Sequence, residues 1–579
     1  MSVRLHHYRA VTLHSALLAL VVSATLATVC SSAALNRPAD QVVLTGADVT
    51  SLLGIAPGEI VAFRFSGTWE QVPVQVDERD SMTFDRIYNG SSYFGGGIIG
   101  EFYTDADTFA GADSNPNLDA NDELVFMARD SGGKPSTYSE PAGVLSGSGV
   151  QLTISDPLDD SKSYVYLFRR NGALDPGAGE QYVAYSFTLL SGDYKTTYQL
   201  NDGPNPEDSV IVTPYYAVHF SDRWIVDETN VLAGAATGVD ILDRRTAKFA
   251  PNTCGRSEDT FSDGEGAFYV NKSGPVRALR GYVGANSGPI TQREHVFYEA
   301  REEMRTHLRV HSIPGIMNLI DYSPAATGMT YTNNLNTGGV TIDGTPDSVV
   351  QGTLAWEMVA GPQGSIVNVG RLITDTGLVP TSYYLDDTTP ADAQCTGDAF
   401  AYGTSGLWIT QGIPNTDPKL GTANTWQGNQ FLYYDAPGLT ATDAIQLTAF
   451  VENPLSTTST AWSSADSDGD NVPDVVDAFP ARADEWADAD GDGMGDNFEQ
   501  RIIDYDNGDA YAAFTDVMPG DDFDGDSVSN AMEFEIDADP TDGTTQLPLT
   551  VGIVGVFATL SLMLVFARRY LRQPSLVRV

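Results

Sequence analysis

Asp466-Ser467-Asp468-Gly469-Asp470 is the first of three copies of one acidic pattern. The others are Asp488-Ala489-Asp490-Gly491-Asp492 and Asp522-Phe523-Asp524-Gly525-Asp526. In each copy, aspartates alternate with other residues beside a glycine that relaxes the loop. Carboxylates placed in this way can converge on one point, where they repel one another unless a cation lies between them. The pattern predicts Ca²⁺, a hard cation that takes about six to eight oxygen ligands. A solvated acidic linker is the alternative, but it gives no reason for the same offsets to recur three times.

The spacing of the oxygen-bearing residues matches the twelve-residue calcium loop of the EF-hand, which uses side chains at positions 1, 3, 5, 9 and 12. Position 6 makes the sharp turn and is Gly493 in the second loop, but Asn471 and Ser527 in the other two make that turn less ideal. The predicted metal ligands are Asp466, Asp468, Asp470, Asp474 and Asp477 in loop A, Asp488, Asp490, Asp492, Asp496 and Glu499 in loop B, and Asp522, Asp524, Asp526, Asn530 and Glu533 in loop C.

Residues 464–545 resemble thrombospondin type 3 repeats, whose bacterial forms carry D-x-D-G-D-x-x-x-D-x-x-D followed by A-F-P, as this chain does from Asp466 to Pro480. The resemblance implies a calcium-filled stalk over residues 466–542, built from loops with little hydrophobic core. The linking sequences Asp477-Ala478-Phe479-Pro480 and Asp539-Pro540 indicate turns, so we expect little room for the long helices of an EF-hand.

The charge of the chain is strongly negative and unevenly distributed. The formal net charge is -45 over 579 residues. Residues 464–545 contain 25 acidic side chains against two arginines, a net charge of -23, which is about half of the total. Binding to nucleic acid needs a basic face for the phosphates, and none is present. We therefore expect no nucleic-acid partner.

Both ends of the chain carry membrane signals. Residues 1–34 combine two arginines, an apolar run and the small residues Ser32-Ala33-Ala34, which predicts a secretory signal peptide, with an uncleaved anchor as the alternative. Residues 547–567 contain no charge and predict a transmembrane helix, and the arginines of the tail 568–579 place that tail in the cytoplasm. The sequence thus predicts an exported protein anchored in a membrane, with its body at the cell surface or in the periplasm. Whether the anchor is permanent or removed by a protease is left open.

Two cysteines, Cys254 and Cys395, remain after the predicted signal peptide is removed. In an oxidising compartment their simplest state is one disulfide, and a pair of free buried thiols is the alternative.

The body from residue 36 to residue 455 predicts a mainly β fold of antiparallel sheets. Its apolar residues alternate with polar ones, and glycine, asparagine and aspartate separate the runs. Breaks in this rhythm divide the body into a β-sandwich at 36–190 and a large multi-stranded β-sandwich at 195–455, and the serine- and threonine-rich residues 456–465 predict a linker. The strands with the strongest pattern are Ile60–Phe65, Glu70–Asp77, Glu123–Ala128, Ser163–Phe168 and Gln181–Phe187.

Residues 71–77 and 119–126 are similar to an amino-terminal β-domain of bacterial polysaccharide-processing proteins, notably lyases built on a β-supersandwich. The resemblance implies a carbohydrate context and transfers no catalytic residue.

Histidine and arginine alternate on two predicted strands of the second unit. Arg293 and His295 share one face of the first strand, and His307, Arg309 and His311 share one face of the second. If the strands pair, these side chains would line one surface that could bind an acidic sugar and remove a proton from it, with a histidine or Tyr298 as the base. A solvated sheet face and a metal site are the alternatives.

Two hypotheses of function follow. The first is a calcium-binding cell-surface protein, with a β-rich body that binds a polysaccharide or a surface protein and stands on a calcium-stiffened stalk. The second is a surface carbohydrate-active enzyme, such as a polysaccharide lyase, that uses the histidine and arginine face. A calcium-dependent assembly or matrix component is a third possibility. The sequence does not decide whether the chain is an enzyme.

Overall fold

A computed structural model describes residues 35–91, 96–193, 195, 204–249, 256–286, 288–389, 400–422, 424–506 and 510–545. The predicted signal peptide, Cys254, Cys395, the predicted transmembrane helix 547–567 and the tail 568–579 lie outside these residues. No helix in the described part of the chain is long and apolar enough to cross a membrane.

The described residues form mainly β structure, as predicted, and all strand pairs are antiparallel. The strands are β1 (Gln41–Thr45), β2 (Ile60–Phe65), β3 (Trp69–Val72), β4 (Gln75–Asp77), β5 (Arg79–Thr83), β6 (Ile99–Tyr103), β7 (Glu123–Met127), β8 (Gly149–Ser155), β9 (Lys162–Arg169), β10 (Ala184–Ser186), β11 (Ser209–Val212), β12 (Tyr216–Phe220), β13 (Val226–Val231), β14 (Leu242–Phe249), β15 (Ala267–Ser273), β16 (Ala278–Ala285), β17 (Gly288–Phe297), β18 (Arg301–His307), β19 (Ile316–Tyr322), β20 (Thr330–Asn333), β21 (Asn336–Thr341), β22 (Glu357–Gly361), β23 (Gly364–Thr374), β24 (Thr381–Asp387), β25 (Ala401–Ile409), β26 (Trp426–Asp435) and β27 (Ser456–Trp462). The helices are α1 (Phe84–Ile87), α2 (Glu258–Ser262), α3 (Ala441–Glu452), α4 (Asp496–Asp506) and α5 (Asn530–Ile536).

The first unit is a sandwich of a three-stranded sheet, β1-β7-β4, and a five-stranded sheet, β27-β8-β9-β2-β3. Successive side chains of a strand point to opposite faces. Along β2, Ile60 and Ala62 pack into the core between the two sheets, whereas Val61 and Phe63 pack on the outer face around Trp462. The predicted strand at Ile60–Phe65 is confirmed with the same bounds.

The predicted linker at 456–465 differs from the structure, because residues 456–462 form β27. This strand pairs with β8 along its whole length, with Thr457 opposite Ile154 and Trp462 opposite Gly149. Threonine is a favourable residue in a strand, and an exposed edge tolerates serine and threonine side chains. Trp462 is fully buried, and its ring fixes the end of the strand.

The second unit is built on a nine-stranded sheet, β15-β16-β17-β18-β26-β23-β22-β20-β21. Two four-stranded sheets, β10-β11-β12-β13 and β14-β19-β25-β24, cover one of its faces. Part of the opposite face is covered by α3, and another part by the β5-β6 hairpin and α1. The strand β10 therefore belongs to the second unit, although the sequence boundary near residue 190 assigned its residues to the first.

A buried ion network joins the two units. Arg277, which has no exposed surface, donates to Asp77 Oδ2 at 2.8 Å and to Glu123 Oε2 at 2.7 Å. It also donates to the hydroxyl of Tyr298 at 3.2 Å. Gln75 Oε1 accepts the backbone amides of residues 276 and 277, both at 3.1 Å. Strands β4 and β7 of the first unit are thus attached to the segment that leads into β16.

Candidate functional site

Each of the three acidic loops brings carboxylates together at positions 1, 3 and 5. In every loop, one carboxylate oxygen from each of the three aspartates lies within 4.8 Å of the other two. The three sets are Asp466, Asp468 and Asp470, then Asp488, Asp490 and Asp492, and finally Asp522, Asp524 and Asp526.

The first aspartate of each loop determines this shape by accepting backbone amides. In loop B, Asp488 accepts the amide of Gly491 at 2.7 Å and that of Gly493 at 3.1 Å. These two glycines have φ values of +78° and +95°, a left-handed conformation that only glycine adopts without strain. The loop is therefore bent so that its side-chain oxygens face inward.

The residue at position 12 of each loop lies close enough to the converging aspartates to feel their charges. Glu499, in the first turn of α4, is fully buried, and neither of its carboxylate oxygens has a hydrogen-bond partner. Burial, followed by the charges of Asp490 and Asp492, raises the pKa of Glu499 to about 8. Glu533 of loop C is also fully buried with one unpartnered oxygen, and burial and Asp524 raise its pKa to about 7.

Loop A has a shorter residue at position 12, Asp477. One of its oxygens accepts the amide of Phe479 at 2.8 Å, and the other is buried without a partner. The second oxygens of Asp468 and Asp470 are also buried without partners. A buried carboxylate without a donor or a cation is costly. The donor sets of all three loops therefore fit a hard cation such as Ca²⁺.

The residues at position 9 have a different role from the other predicted ligands. Asp474 accepts the backbone amide of Ser467 at 2.7 Å, and Asp496 accepts that of Ala489 at 2.7 Å. Asn530 accepts the amide of Phe523 at 3.2 Å. These three side chains close the loops by binding the amide at position 2, and the carboxylates that converge within 4.8 Å in each loop are those of positions 1, 3 and 5.

Loops B and C are accompanied by helices and by a small hydrophobic core. The resemblance to thrombospondin type 3 repeats had implied a stalk built from loops with little core. Helix α4 follows loop B and α5 follows loop C, and the rings of Phe498 and Phe534 meet with centroids 5.3 Å apart. Phe498 and Ile502 lie four residues apart on one face of α4 and pack in the same cluster. This i, i+4 apolar spacing after position 9 was the sequence signal for the helix. Residues 479–534 therefore contain a small core of their own, whereas Val475 and Val476 of loop A pack against the Trp462 cluster of the first unit.

We predict that replacing Ser527 with glycine stabilises loop C. Ser527 occupies position 6 with φ at +78°, which costs a non-glycine residue about 1 to 2 kcal/mol. We expect Ser527→Gly to raise the free energy of unfolding of the calcium-loaded segment by up to about 1 kcal/mol, because glycine relieves the strain but loses more entropy on folding. Ser529→Gly is the matched control, since Ser529 has φ at -79° and gains nothing from glycine. A less stable Ser527→Gly chain would contradict the prediction.

The histidine strands pair as the enzyme hypothesis required, but their register separates the histidines. In the pairing of β17 with β18, His295 lies opposite Met304, and His307 lies opposite Gln292. Residues directly opposite each other share a face, and odd and even positions alternate. His295 therefore points to the face of the nine-stranded sheet that the two four-stranded sheets cover, and His307 points to the opposite face. The prediction of one surface lined by His295, His307, Arg309 and His311 is wrong.

His295 is a core residue. Its Nδ1 lies 2.9 Å from Glu302 Oε1 and its Nε2 lies 3.2 Å from the hydroxyl of Tyr282, while its ring stacks on Phe297. Burial lowers the pKa of His295 to about 4, against the effect of Glu302. Burial alone would raise the pKa of Glu302, but Arg245 and His295 hold it at about 2. Glu302 is thus charged and His295 neutral at pH 7.

We predict that His295 makes the body less stable in acid. An unfolded histidine takes up a proton near pH 6.5, whereas folded His295 does so near pH 4, so its contribution is complete above pH 6.5 and is lost as the pH falls to 4. The loss is about 3 kcal/mol. Urea unfolding at pH 7.0 and 4.5 should give a smaller pH effect for His295→Gln than for the natural chain. An equal pH effect in both would contradict the prediction.

His219→Gln is the control of opposite sign. Asp227 and Asp208 raise the pKa of His219 against its burial, so its contribution is complete below pH 6.5 and is lost as the pH rises. We therefore expect His219→Gln to increase the stability difference between pH 7.0 and pH 4.5.

The other candidate groups of the enzyme hypothesis lie apart. Tyr298 is fully buried, and burial raises the pKa of its hydroxyl, so it has no contact with solvent through which to act as a base. His311 is exposed, and its Nδ1 lies 2.9 Å from the carbonyl oxygen of Ser312. His307 and Arg309 line a cleft of about 420 Å³ at the end of β18.

Comparisons with known proteins give structural likenesses at low scores. No protein-family model matches the chain, and no curated protein is detectably similar to it. A glycosyl hydrolase family 38 protein from Enterococcus faecalis aligns at a TM-score of 0.34 and 10% identity, over 73% of this chain and 46% of that one. An α-mannosidase from Enterococcus faecalis V583 aligns at 0.31 and 10% identity, over 73% and 43%.

A putative aldose 1-epimerase from Escherichia coli K12 aligns at a TM-score of 0.23 and 9% identity, over 44% of this chain and all of that one. The chain thus spans less than half of the length of the two Enterococcus proteins. Likenesses at these scores assign no activity to the chain.

Proposed function

We propose that the protein is an exported, membrane-anchored calcium-binding protein of the cell surface. Its β-rich body is the part that binds a ligand, and residues 466–542 form a calcium-folded segment, related to thrombospondin type 3 repeats, between that body and the membrane. The repeated spacing of the acidic residues and the convergence of their carboxylates support the calcium sites. The composition of the two ends of the chain supports export and anchoring.

The observation that carries the proposal is Glu499. A fully buried glutamate with two unpartnered oxygens, beside three converging aspartates, is costly in the absence of a cation. A divalent ion at this point would be surrounded by oxygens of Asp488, Asp490, Asp492 and Glu499, which is the donor chemistry that Ca²⁺ prefers.

Calcium binding would couple directly to the packing of the segment. In α4, Glu499 faces the loop, while its neighbour Phe498 packs against Phe534 of α5. Holding Glu499 on the ion therefore fixes the helix that carries Phe498. An ion that binds only the folded segment adds about 2.7 kcal/mol of stability at one hundred times its dissociation constant.

Calorimetric titration of the purified, chelator-treated full chain with calcium chloride tests the proposal. We expect binding heats equivalent to three ions. Glu499→Gln should weaken one site by at least about tenfold, because ligand charge sets the affinity of such sites. Glu535→Gln is the matched control, since it removes one negative charge from an exposed position of α5. The absence of calcium heat in the natural chain would refute the proposal.

The geometry gives no support to a lyase that uses one histidine and arginine face. It required His295 and His307 on one surface, and the pairing register of β17 and β18 places them on opposite faces.

A further inference from the structure

A cleft of about 420 Å³ opens beside the end of β18 and the start of β26. Its volume falls within the range of about 300 to 1,000 Å³ that is usual for small-molecule sites. The lining residues used below are His307, Leu308, Arg309, Asn424, Trp426 and Gln427. The backbone amide of Leu308 donates to the carbonyl of Trp426 at 3.0 Å, so this wall is held by the sheet itself.

Arg309 brings a positive charge to the cleft that makes no direct ion pair, although Glu294 is near enough to raise its pKa against the effect of burial. Within the described residues, no acidic side chain lies within 4 Å of it, whereas Arg301 and Arg305 on the preceding strand both pair with Glu303. Nη1 of Arg309 donates to the carbonyl of Ile290 at 3.2 Å and to Gln292 Oε1 at 3.4 Å, and the guanidinium lies 5.0 Å from the ring of Phe84. Its Nε and Nη2 have no hydrogen-bond partner among the described residues. Burial lowers the pKa of Arg309 to about 10, so the guanidinium stays charged at pH 7.

His307 stands beside Arg309 and makes no hydrogen bond within the described chain. Burial and the charge of Arg309 lower the pKa of His307 to about 4. The imidazole is therefore neutral at pH 7 and can donate or accept a hydrogen bond. The described lining contains no aspartate or glutamate, so the cleft holds no carboxylate to act with His307 as an acid and base pair. The arrangement favours binding over catalysis.

The remaining walls provide the other contacts that a sugar needs. Leu308 and Trp426 are buried but for a small edge, and that edge gives the cleft a limited apolar contact for a pyranose, while the amides of Asn424 and Gln427 can bond hydroxyl groups. A guanidinium with two nitrogens left free suits a carboxylate because it can donate two parallel hydrogen bonds to it. One cation, neutral hydrogen-bonding groups and a limited apolar contact together correspond to a sugar that carries a carboxylate.

We propose that this cleft binds a uronic acid unit of an acidic polysaccharide, with Arg309 on the carboxylate and His307 and Gln427 on the hydroxyls. This inference rests on the proposed function, in which the β-rich body carries the ligand site, and it names the ligand class.

The test is calorimetric titration of the calcium-loaded full chain, dialysed free of excess calcium, with digalacturonate. We expect digalacturonate to bind, and its dimethyl ester, which has the same rings without the charges, to bind at least about tenfold more weakly. Acetate at equal concentration should give no comparable heat. No binding of digalacturonate, equal binding of its ester, or equal binding of acetate would each overturn the inference.

Two variants and one control test whether digalacturonate binds in this cleft. Arg309→Gln should weaken binding of digalacturonate about 10- to 100-fold, the usual effect of losing a hydrogen bond to a charged group. His307→Gln should weaken it several-fold, and it removes no hydrogen bond of the described chain, so it covers the case in which Arg309→Gln fails to fold. Arg169→Gln is the control, because Arg169 pairs with Glu59 on the surface of the first unit.

Unchanged affinity in His307→Gln and in a folded Arg309→Gln would overturn the assignment to this cleft. Calcium titration of the same samples separates the two proposals. If digalacturonate does not bind but the calcium heats are intact, the uronic acid site is contradicted and the calcium-binding function is not.

Discussion

Trypsin is expected to cut the chain at Arg482 and Arg501 within minutes of calcium removal, while residues 35–462 stay intact. These two arginines are the only tryptic sites between residues 466 and 542. In the folded segment, Arg482 donates to the carbonyl of Phe534 at 2.6 Å and its guanidinium lies 4.1 Å from the ring of that residue. Both contacts depend on the position of α5, which the ligand Glu533 of loop C would hold.

The expected effect is large because the segment has little else to stabilise it. At one hundred times the dissociation constant, three sites together contribute about 8 kcal/mol, which is of the order of the whole stability of a small domain. Without the cations, the carboxylates at positions 1, 3 and 5 repel one another across distances of less than 4.8 Å. We therefore expect the rate of cutting to rise at least a hundredfold with chelator.

Mass spectrometry of the fragments gives the measurement, and the body is its internal control, since its many lysines and arginines should remain uncut. The double variant Glu499→Gln and Glu533→Gln should be cut rapidly even with calcium, whereas Glu535→Gln should behave like the natural chain. Equal rates of cutting with calcium and with chelator would show that the ion does not fold this segment.

Replacement of Arg277 by methionine is expected to destabilise the body by about 3 to 5 kcal/mol. Removing one partner from a buried ion network leaves the others charged and desolvated. Here Asp77 and Glu123 would both lose their closest cation, at 2.8 and 2.7 Å. Burial alone would raise the pKa of Glu123, but Arg277 contributes most to holding it at about 2. In the variant, Glu123 either stays charged without this cation or takes up a proton, and both states cost free energy.

Urea unfolding of the full chain, followed by tryptophan fluorescence, measures this effect. Arg169→Met is the control, because it breaks an exposed pair with Glu59 that contributes only about 0 to 1 kcal/mol. The triple variant Arg277→Met, Asp77→Asn and Glu123→Gln should recover part of the loss, because it removes the uncompensated charges together with their partner. A single variant as stable as Arg169→Met would contradict the role of the network.

The sequence was sufficient for features that depend on local spacing. The acidic residues of the three loops were found from their offsets alone, since a loop of twelve residues fixes its own shape. The strand Ile60–Phe65 was also found, because alternation of apolar and polar residues is a local signal. Helix α4 could have been found from Phe498 and Ile502, but the acidic composition of the region directed the prediction to turns.

Features that depend on pairing between distant residues could not be predicted. The separation of His295 from His307 follows from the register of β17 and β18, and a shift of one residue would have reversed it. The network around Arg277 joins residues 200 and 154 positions apart in the chain. The linker prediction at 456–465 failed for the same reason, because nothing local indicates that Thr457 pairs with Ile154.

The position of β27 constrains the order in which the protein can fold. Ser456 bonds to Ser155, 301 positions earlier, so the five-stranded sheet lacks its outermost strand until nearly the whole body has been synthesised. During that time the backbone of β8 is an open edge that can pair with another chain. A version that ends at residue 455 should therefore aggregate during production although it keeps the core between the two sheets of the first unit, whereas one that ends at residue 463 should not.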